Sequence, residues 1–257
     1  MRGTILVKGG RIRCTDTGGD GPAVVLVHGD WTDSRVWTPV IPLLRDNFRV
    51  IAYDELGYGS SLPPSEVYTR TENLRALLDR LDLELVTLVT HSGGANAALG
   101  LAIAEPGRVA GLVLTAPSTS DYPWPEDDPF WSAIGRRSTA DVGLRTHAAA
   151  QTLPLRRAAE SGTVRLARAQ FRRAASAWEK TSVLCKDDPP VYERLDQVTA
   201  PTVVMVGSLE YPMVGQASRD IAGHITGATL TVVDGADHLL PLHSPAAVAT
   251  AVRDLTG

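Results

Sequence analysis

Thr90-His91-Ser92-Gly93-Gly94 is a stretch whose residue types and spacing could do chemistry. It follows an apolar, β-rich run, Leu85-Val86-Thr87-Leu88-Val89, and precedes a helix-forming run from Ala95 to Ala102. A serine in so tight a turn needs small neighbours, because the backbone there is strained. The helix that follows aims its unpaired amide N–H groups, and the positive end of its dipole, at the serine. Such a hydroxyl is a nucleophile beside a place where developing negative charge is stabilised. Strand-to-helix turns also carry Ser and Gly for geometry alone, so the rest of the chain has to decide.

The chain must first be able to build a scaffold around that serine. Its 257 residues suit one large domain, or one domain with an inserted subdomain, and a hydrophobic content of 44% is ample for a core. A net charge of −4 argues against a nucleic-acid partner. Cys14 and Cys185 lie far apart and match neither a metal spacing nor a disulfide framework, so both read as buried thiols. The first eight residues are too interrupted for a signal peptide. No apolar stretch approaches the ~20 residues of a membrane span. The expectation is a soluble cytoplasmic protein with a small-molecule substrate, no membrane partner and no nucleic-acid partner; oligomeric state is left open.

Two short strands are expected near Thr4–Val7 and Arg11–Thr15. Ala23–His28 is continuous, apolar and β-branched, as a strand buried on both faces should be. A helix is expected over Ser34–Arg45, a strand over Arg49–Tyr53, and a loop from Asp54 to Ser61. Leu74, Leu77, Leu78 and Leu81 have helical spacing within a helix expected over Glu66–Leu81. The strand before Ser92, a helix to about Glu105 and a strand over Val109–Thr115 continue the alternation. From 117 to 198 no buried strand is readable; Leu153–Lys180 reads as helix. Strands resume at Pro201–Val206 and Thr229–Asp234, with helices over Val214–Ile225 and Ala246–Leu255. The pattern predicts an α/β fold: a mostly parallel eight-stranded sheet, helices on both faces and an inserted helical cap. The expected divisions are 1–116 for the first part of the core, 117–198 for the cap and 199–257 for the second part.

In this order the motifs resemble those of the α/β-hydrolase superfamily, in particular small capped serine hydrolases of the esterase and haloperoxidase type. His28-Gly29-Asp30-Trp31 closes the first buried strand, as a His-Gly motif does in that family. Asp54, Gly57, Gly59 and Ser61 match its Asp-x-x-Gly-x-Gly-x-Ser loop. His238 stands in a glycine-containing turn, Asp234-Gly235-Ala236-Asp237-His238, after the last strand. Gly207-Ser208-Leu209-Glu210 places a carboxylate where the family keeps its acid. The order Ser, acid, His is the family's own. Three positions depart from its pattern: Thr90 replaces the first glycine of Gly-x-Ser-x-Gly, Asp30 stands where a neutral residue is usual, and Glu210 replaces Asp.

The resemblance implies Ser92 as nucleophile, His238 as general base and Glu210 as the acid, with Asp121 as the alternative acid. It implies oxyanion donors at the amides of Asp30 and Gly93, and makes Trp31 a candidate for the substrate pocket. The Asp30 side chain reads as solvated or helix-capping, or else as an acid or base with a role of its own. His91 reads as packing and His28 as bracing its loop; Asp237, next to His238, is not expected to orient it. His147, His224 and His243 read as solvated or capping. Aromatic residues of the cap region (Tyr122, Trp124, Phe130, Trp131, Phe171, Trp178) read as pocket lining or as packing. The implied function is a serine hydrolase cleaving a small ester, thioester, lactone or amide through an acyl-enzyme, with no cofactor and no metal. Two alternatives stand beside it. One is a non-hydrolytic enzyme of the same fold (cyclase, lyase or cofactor-free oxygenase) using Ser92, His238 and Asp30 for proton transfer. The other is a small-molecule-binding, receptor-like protein.

Overall fold

The computed structural model describes residues 2–30, 32–125, 185 and 190–257. Its eight strands form one sheet: β1 Arg2–Val7, β2 Gly10–Asp16, β3 Ala23–Val27, β4 Arg49–Asp54, β5 Val86–His91, β6 Val109–Thr115, β7 Thr202–Gly207 and β8 Thr229–Val233. The spatial order is β1-β2-β4-β3-β5-β6-β7-β8. β1 pairs antiparallel with β2, and β2 with β4; all other pairs are parallel.

The helices are α1 Ile41–Leu44, α2 Arg70–Arg80, α3 Gly94–Ala104, α4 Pro212–His224, α5 Leu240–His243 and α6 Pro245–Thr256, among the described residues. They cover both faces of the sheet because successive strand side chains point opposite ways. Val25 and Val27 of β3 join Ile51, Leu88, Leu112 and Leu114 in one core, under Leu74 and Leu77 of α2, Ala98 of α3 and Ile221 of α4. Val24 and Leu26 face the other way, with Val50, Val89, Val113 and Met205, against Trp37, Leu44 of α1 and Val248 and Val252 of α6. Burial on both faces explains why these strands read as unbroken apolar runs.

The structure corrects several boundaries. The helix expected over Ser34–Arg45 is two pieces, a 3-10 turn at Ser34–Trp37 and the single turn α1. Pro39 has no N–H to continue the ladder, and Pro42 is tolerated because it opens the next helix. The helix expected from Glu66 begins at Arg70, where a capping box stops it: Glu72 N donates to Thr69 Oγ1 at 3.0 Å and Thr69 N to the Glu72 carboxylate at 3.2 Å. The short α5 had no counterpart in the sequence reading. Cys14 is buried but Cys185 is only half-buried. Trp31, His147, Phe130, Trp131, Phe171, Trp178 and the helix expected over Leu153–Lys180 lie outside the described residues, as does most of 117–198. No described helix is long and apolar enough to cross a membrane.

Candidate active site

The serine turn sits at the carboxyl end of β5, in the middle of the sheet. Ser92 has φ of +50°, a left-handed conformation that costs strain in any residue with a β-carbon. Its N–H donates to Thr115 O at 2.9 Å, which ties the turn to the end of β6. The loop after β3 presses against it: a β-carbon on Gly29 would lie 2.7 Å from Ser92 Cβ, and one on Gly94 would lie 2.5 Å from His28 O. Close approach therefore requires glycine at both positions. Thr90 is still a strand residue, paired with Val27 on one side and Leu114 on the other. It needs none of glycine's freedom, so the departure at this position has a simple structural basis.

Three side chains from three loops converge here. His238 Nε2 is 3.1 Å from Ser92 Oγ, and His238 Nδ1 is 3.0 Å from Glu210 Oε2. The carboxylate accepts from Nδ1–H, which leaves Nε2 to accept from the serine hydroxyl. The loops after β7 and β8 are packed together, since a β-carbon on Gly207 would collide with Ala236 O. Only 8% of the His238 side chain and 2% of that of Glu210 are exposed. Burial disfavours protonated His238, but the charge and hydrogen bond of Glu210, with Asp237 adding, prevail and raise its pKa above the ordinary imidazole value.

Glu210 is the carboxylate bonded to the ring, whereas Asp121 accepts from Tyr192 N at 2.8 Å. The longer Glu210 side chain is steadied by Tyr211 N, which donates to Oε1 at 2.7 Å. Asp237 accepts from Leu239 N at 3.0 Å and from His243 Nδ1 at 2.6 Å. His243 is thus paired with a buried carboxylate rather than merely solvated. His224 shares Nδ1 with Asp220 O at 2.7 Å.

On the other side of Ser92, the His28 loop is fixed by its own polar groups. Glu55 N donates to His28 Nε2 at 3.0 Å, so the proton lies on Nδ1, 2.8 Å from Gly29 O. Gly29 N donates to Thr32 Oγ1 at 3.1 Å. The amides of Asp30 and Gly93 make no hydrogen bond within the described residues. They are free to meet a substrate oxygen.

The Asp30 side chain is partly exposed and ion-paired. A β-carbon on Gly93 would collide with Asp30 Oδ2, so the carboxylate lies against the serine turn. Its other oxygen accepts from Arg70 Nη2 of α2. Sequence reasoning missed Arg70. The signal was present: Thr69-x-x-Glu72 marks a helix start, and an arginine at the first helical position opposes the helix dipole.

Trp31 lies outside the described residues. Tyr122 and Trp124 pack together with ring centroids 4.6 Å apart, and the Tyr122 hydroxyl donates to Asp220 of α4 at 2.6 Å. A cavity of about 650 Å³ opens elsewhere, lined by Arg2, Arg13, Ser34, Arg35 and Asp54, and none of Ser92, Glu210 or His238 borders it. Among the described residues no group of three or more His, Cys, Asp or Glu side chains could hold a metal ion.

Comparison with known proteins adds to this geometry. The family model described as "Alpha/beta hydrolase family" matches residues 24–251. A 2-hydroxy-6-oxononadienedioate/2-hydroxy-6-oxononatrienedioate hydrolase of Cupriavidus pinatubonensis is 36% identical over 117 residues, 42% of this chain and 40% of that protein. A haloalkane dehalogenase of Mesorhizobium japonicum is 39% identical over 100 residues, 38% of this chain and 32% of that protein. These matches span less than half of the curated relatives' length. The crystal structure of the enol-lactonase from Burkholderia xenovorans LB400 superposes with a TM-score of 0.80 at 21% identity, covering 99% of each chain. That likeness is one of fold.

Proposed function

The chain belongs to the alpha/beta hydrolase family, and from that premise we propose that it is a serine hydrolase of a small ester, thioester, lactone or amide. One observation carries the reading: Ser92 Oγ, His238 Nε2, His238 Nδ1 and Glu210 Oε2 form one hydrogen-bonded line, at 3.1 and 3.0 Å. That is the arrangement that makes a serine hydroxyl nucleophilic.

The chemistry follows from the atoms. Ser92 Oγ attacks the substrate carbonyl carbon while His238 Nε2 takes its proton. The carbonyl oxygen becomes an oxyanion and accepts from the amides of Gly93 and Asp30, at the dipole end of α3. Glu210 keeps the ring in the required tautomer and stabilises the imidazolium. His238 then protonates the departing alcohol, thiol or amine, and the acyl group stays on Ser92. A water attacks the ester, gives its proton to His238, and the acid leaves as Oγ recovers the proton. These steps ask for no cofactor. Residues 117–198 are the proposed cap over the site, dividing the core into 1–116 and 199–257.

The test is intact mass after treatment with a fluorophosphonate, on the native protein and on Ser92→Ala, followed by an ester and thioester screen. A single adduct in the native protein, absent from the variant, is the expected result. A native protein that takes no adduct and turns over no ester sinks this reading and favours proton-transfer chemistry or ligand binding.

A further inference from the structure

Asp30 puts a carboxylate at the lip of the place where the hydrolase reading needs negative charge to develop. Like charges a few ångströms apart in a half-buried site repel strongly enough to cancel the benefit of an oxyanion donor. The structure answers that charge. Arg70 Nη2 binds Asp30 Oδ1 and lies 3.4 Å from the Tyr58 hydroxyl. The guanidinium stands over the Tyr58 ring, 5.8 Å from its centroid. The buried Tyr58 ring meets that of His28 at 5.2 Å, and His28 precedes Gly29-Asp30 on the same loop. Arg70 is thus braced by Tyr58, whose ring in turn packs against the loop that carries Asp30.

Nothing in the helix itself favours an arginine at this position. Arg70 is the first residue of α2, at the positive end of the dipole, and only 12% of its side chain is exposed. Burial pushes the nearby Glu55 carboxyl towards its neutral form, although Arg70 and the Asn73 and Leu56 hydrogen bonds oppose this. Asp30 is the carboxylate in direct contact with the guanidinium. A local rule broken with a compensating partner beside the nucleophile marks a functional constraint.

We propose that Arg70 is a positioning residue for the oxyanion site: it holds the Asp30 carboxylate as a neutralised pair against Gly93, so that the site still attracts negative charge. This rests on the hydrolase reading. The pair also makes Asp30 useful, because a paired carboxylate keeps its place against Gly93 and helps fix the loop whose amide is a donor.

The experiment is the rate of phosphonylation of Ser92 by a fluorophosphonate, whose P=O oxygen uses the same amides, divided by the number of sites that titrate. Counting sites removes any misfolded fraction from the comparison. Arg70→Gln is expected to slow the rate per site about tenfold to a hundredfold. Adding Asp30→Asn to that variant removes the bare charge and is expected to restore about tenfold or more of it. Arg70→Lys, which keeps a cation, falls between native and Arg70→Gln. An Arg70→Gln rate within about twofold of native, or a double variant no faster than Arg70→Gln, overturns the proposal. Native protein that takes no adduct at Ser92 overturns the hydrolase reading and this one with it, so the two failures look different.

Discussion

The ring of His91 reaches from the serine turn to the backbone of His238: its Nε2–H donates to His238 O at 2.9 Å, and the two ring centroids are 5.0 Å apart. The residue before the nucleophile therefore holds the loop that brings the second histidine to Ser92. The donor role requires a proton on Nε2. Burial, with the charge of His238 nearby, lowers the His91 pKa to about 3. Nitrogen NMR should find His91 as the neutral Nε2–H tautomer throughout pH 5–9, and a His91 that titrates in that range would contradict the assignment.

His238 should control the acid limb of the pH profile. Its pKa is raised, so the neutral form that accepts the serine proton becomes populated at higher pH than for an ordinary imidazole. We expect kcat/KM to climb with pH through a limb above about 6.5. Glu210→Gln takes away the charge that stabilises the imidazolium, so the limb moves to lower pH. The same change should lower kcat by about 10³- to 10⁴-fold, as loss of the orienting acid does in other triads. A limb that stays in place would mean that Glu210 is not the group acting on His238.

Asp121→Asn is the matched control for the choice of acid. The Asp121 carboxylate accepts from Tyr192 N, and its other oxygen is buried without a hydrogen bond among the described residues. An amide can still accept through its carbonyl oxygen. Denaturant unfolding should therefore show a change of about 1 kcal/mol or less, with kcat/KM within about threefold of native. A loss comparable to that of Glu210→Gln would reverse the assignment.

The two glycines at the crossing of the β3 loop and the serine turn should resist substitution. Gly29→Ala places a methyl 2.7 Å from Ser92 Cβ and 2.9 Å from His91 O. Gly94→Ala places one 2.5 Å from His28 O. Either loop must move, at an expected cost of about 1–3 kcal/mol of stability. Thermal unfolding and fluorophosphonate labelling rate should fall together in both variants. Gly107→Ala, which meets nothing within 4 Å, should alter neither.

The sequence by itself determined the scaffold and the serine turn. Strand and helix write their periods into the chain, and a strand buried on both faces is an apolar run whatever its neighbours are. Eight strands were therefore legible, and Ser92 could be placed between one of them and a helix without knowledge of the rest. Ser34–Arg45 is not the single helix expected there, because Pro39 and Pro42, both visible in the sequence, divide it into two turns. The Thr69–Glu72 box was equally local, and would have fixed the start of α2 and shown Arg70 at its first position. What the tertiary structure decided was which side chains meet. Position in the sequence favours Glu210 over Asp121 without excluding either, and the contact of Glu210 with His238 Nδ1 appears only where the loops after β7 and β8 pack together. The partner of Asp30 stands forty residues away on another element, and no periodicity connects them. Charge pairs across a fold depend on where loops cross, which is set by the packed sheet as a whole and by no local stretch of chain.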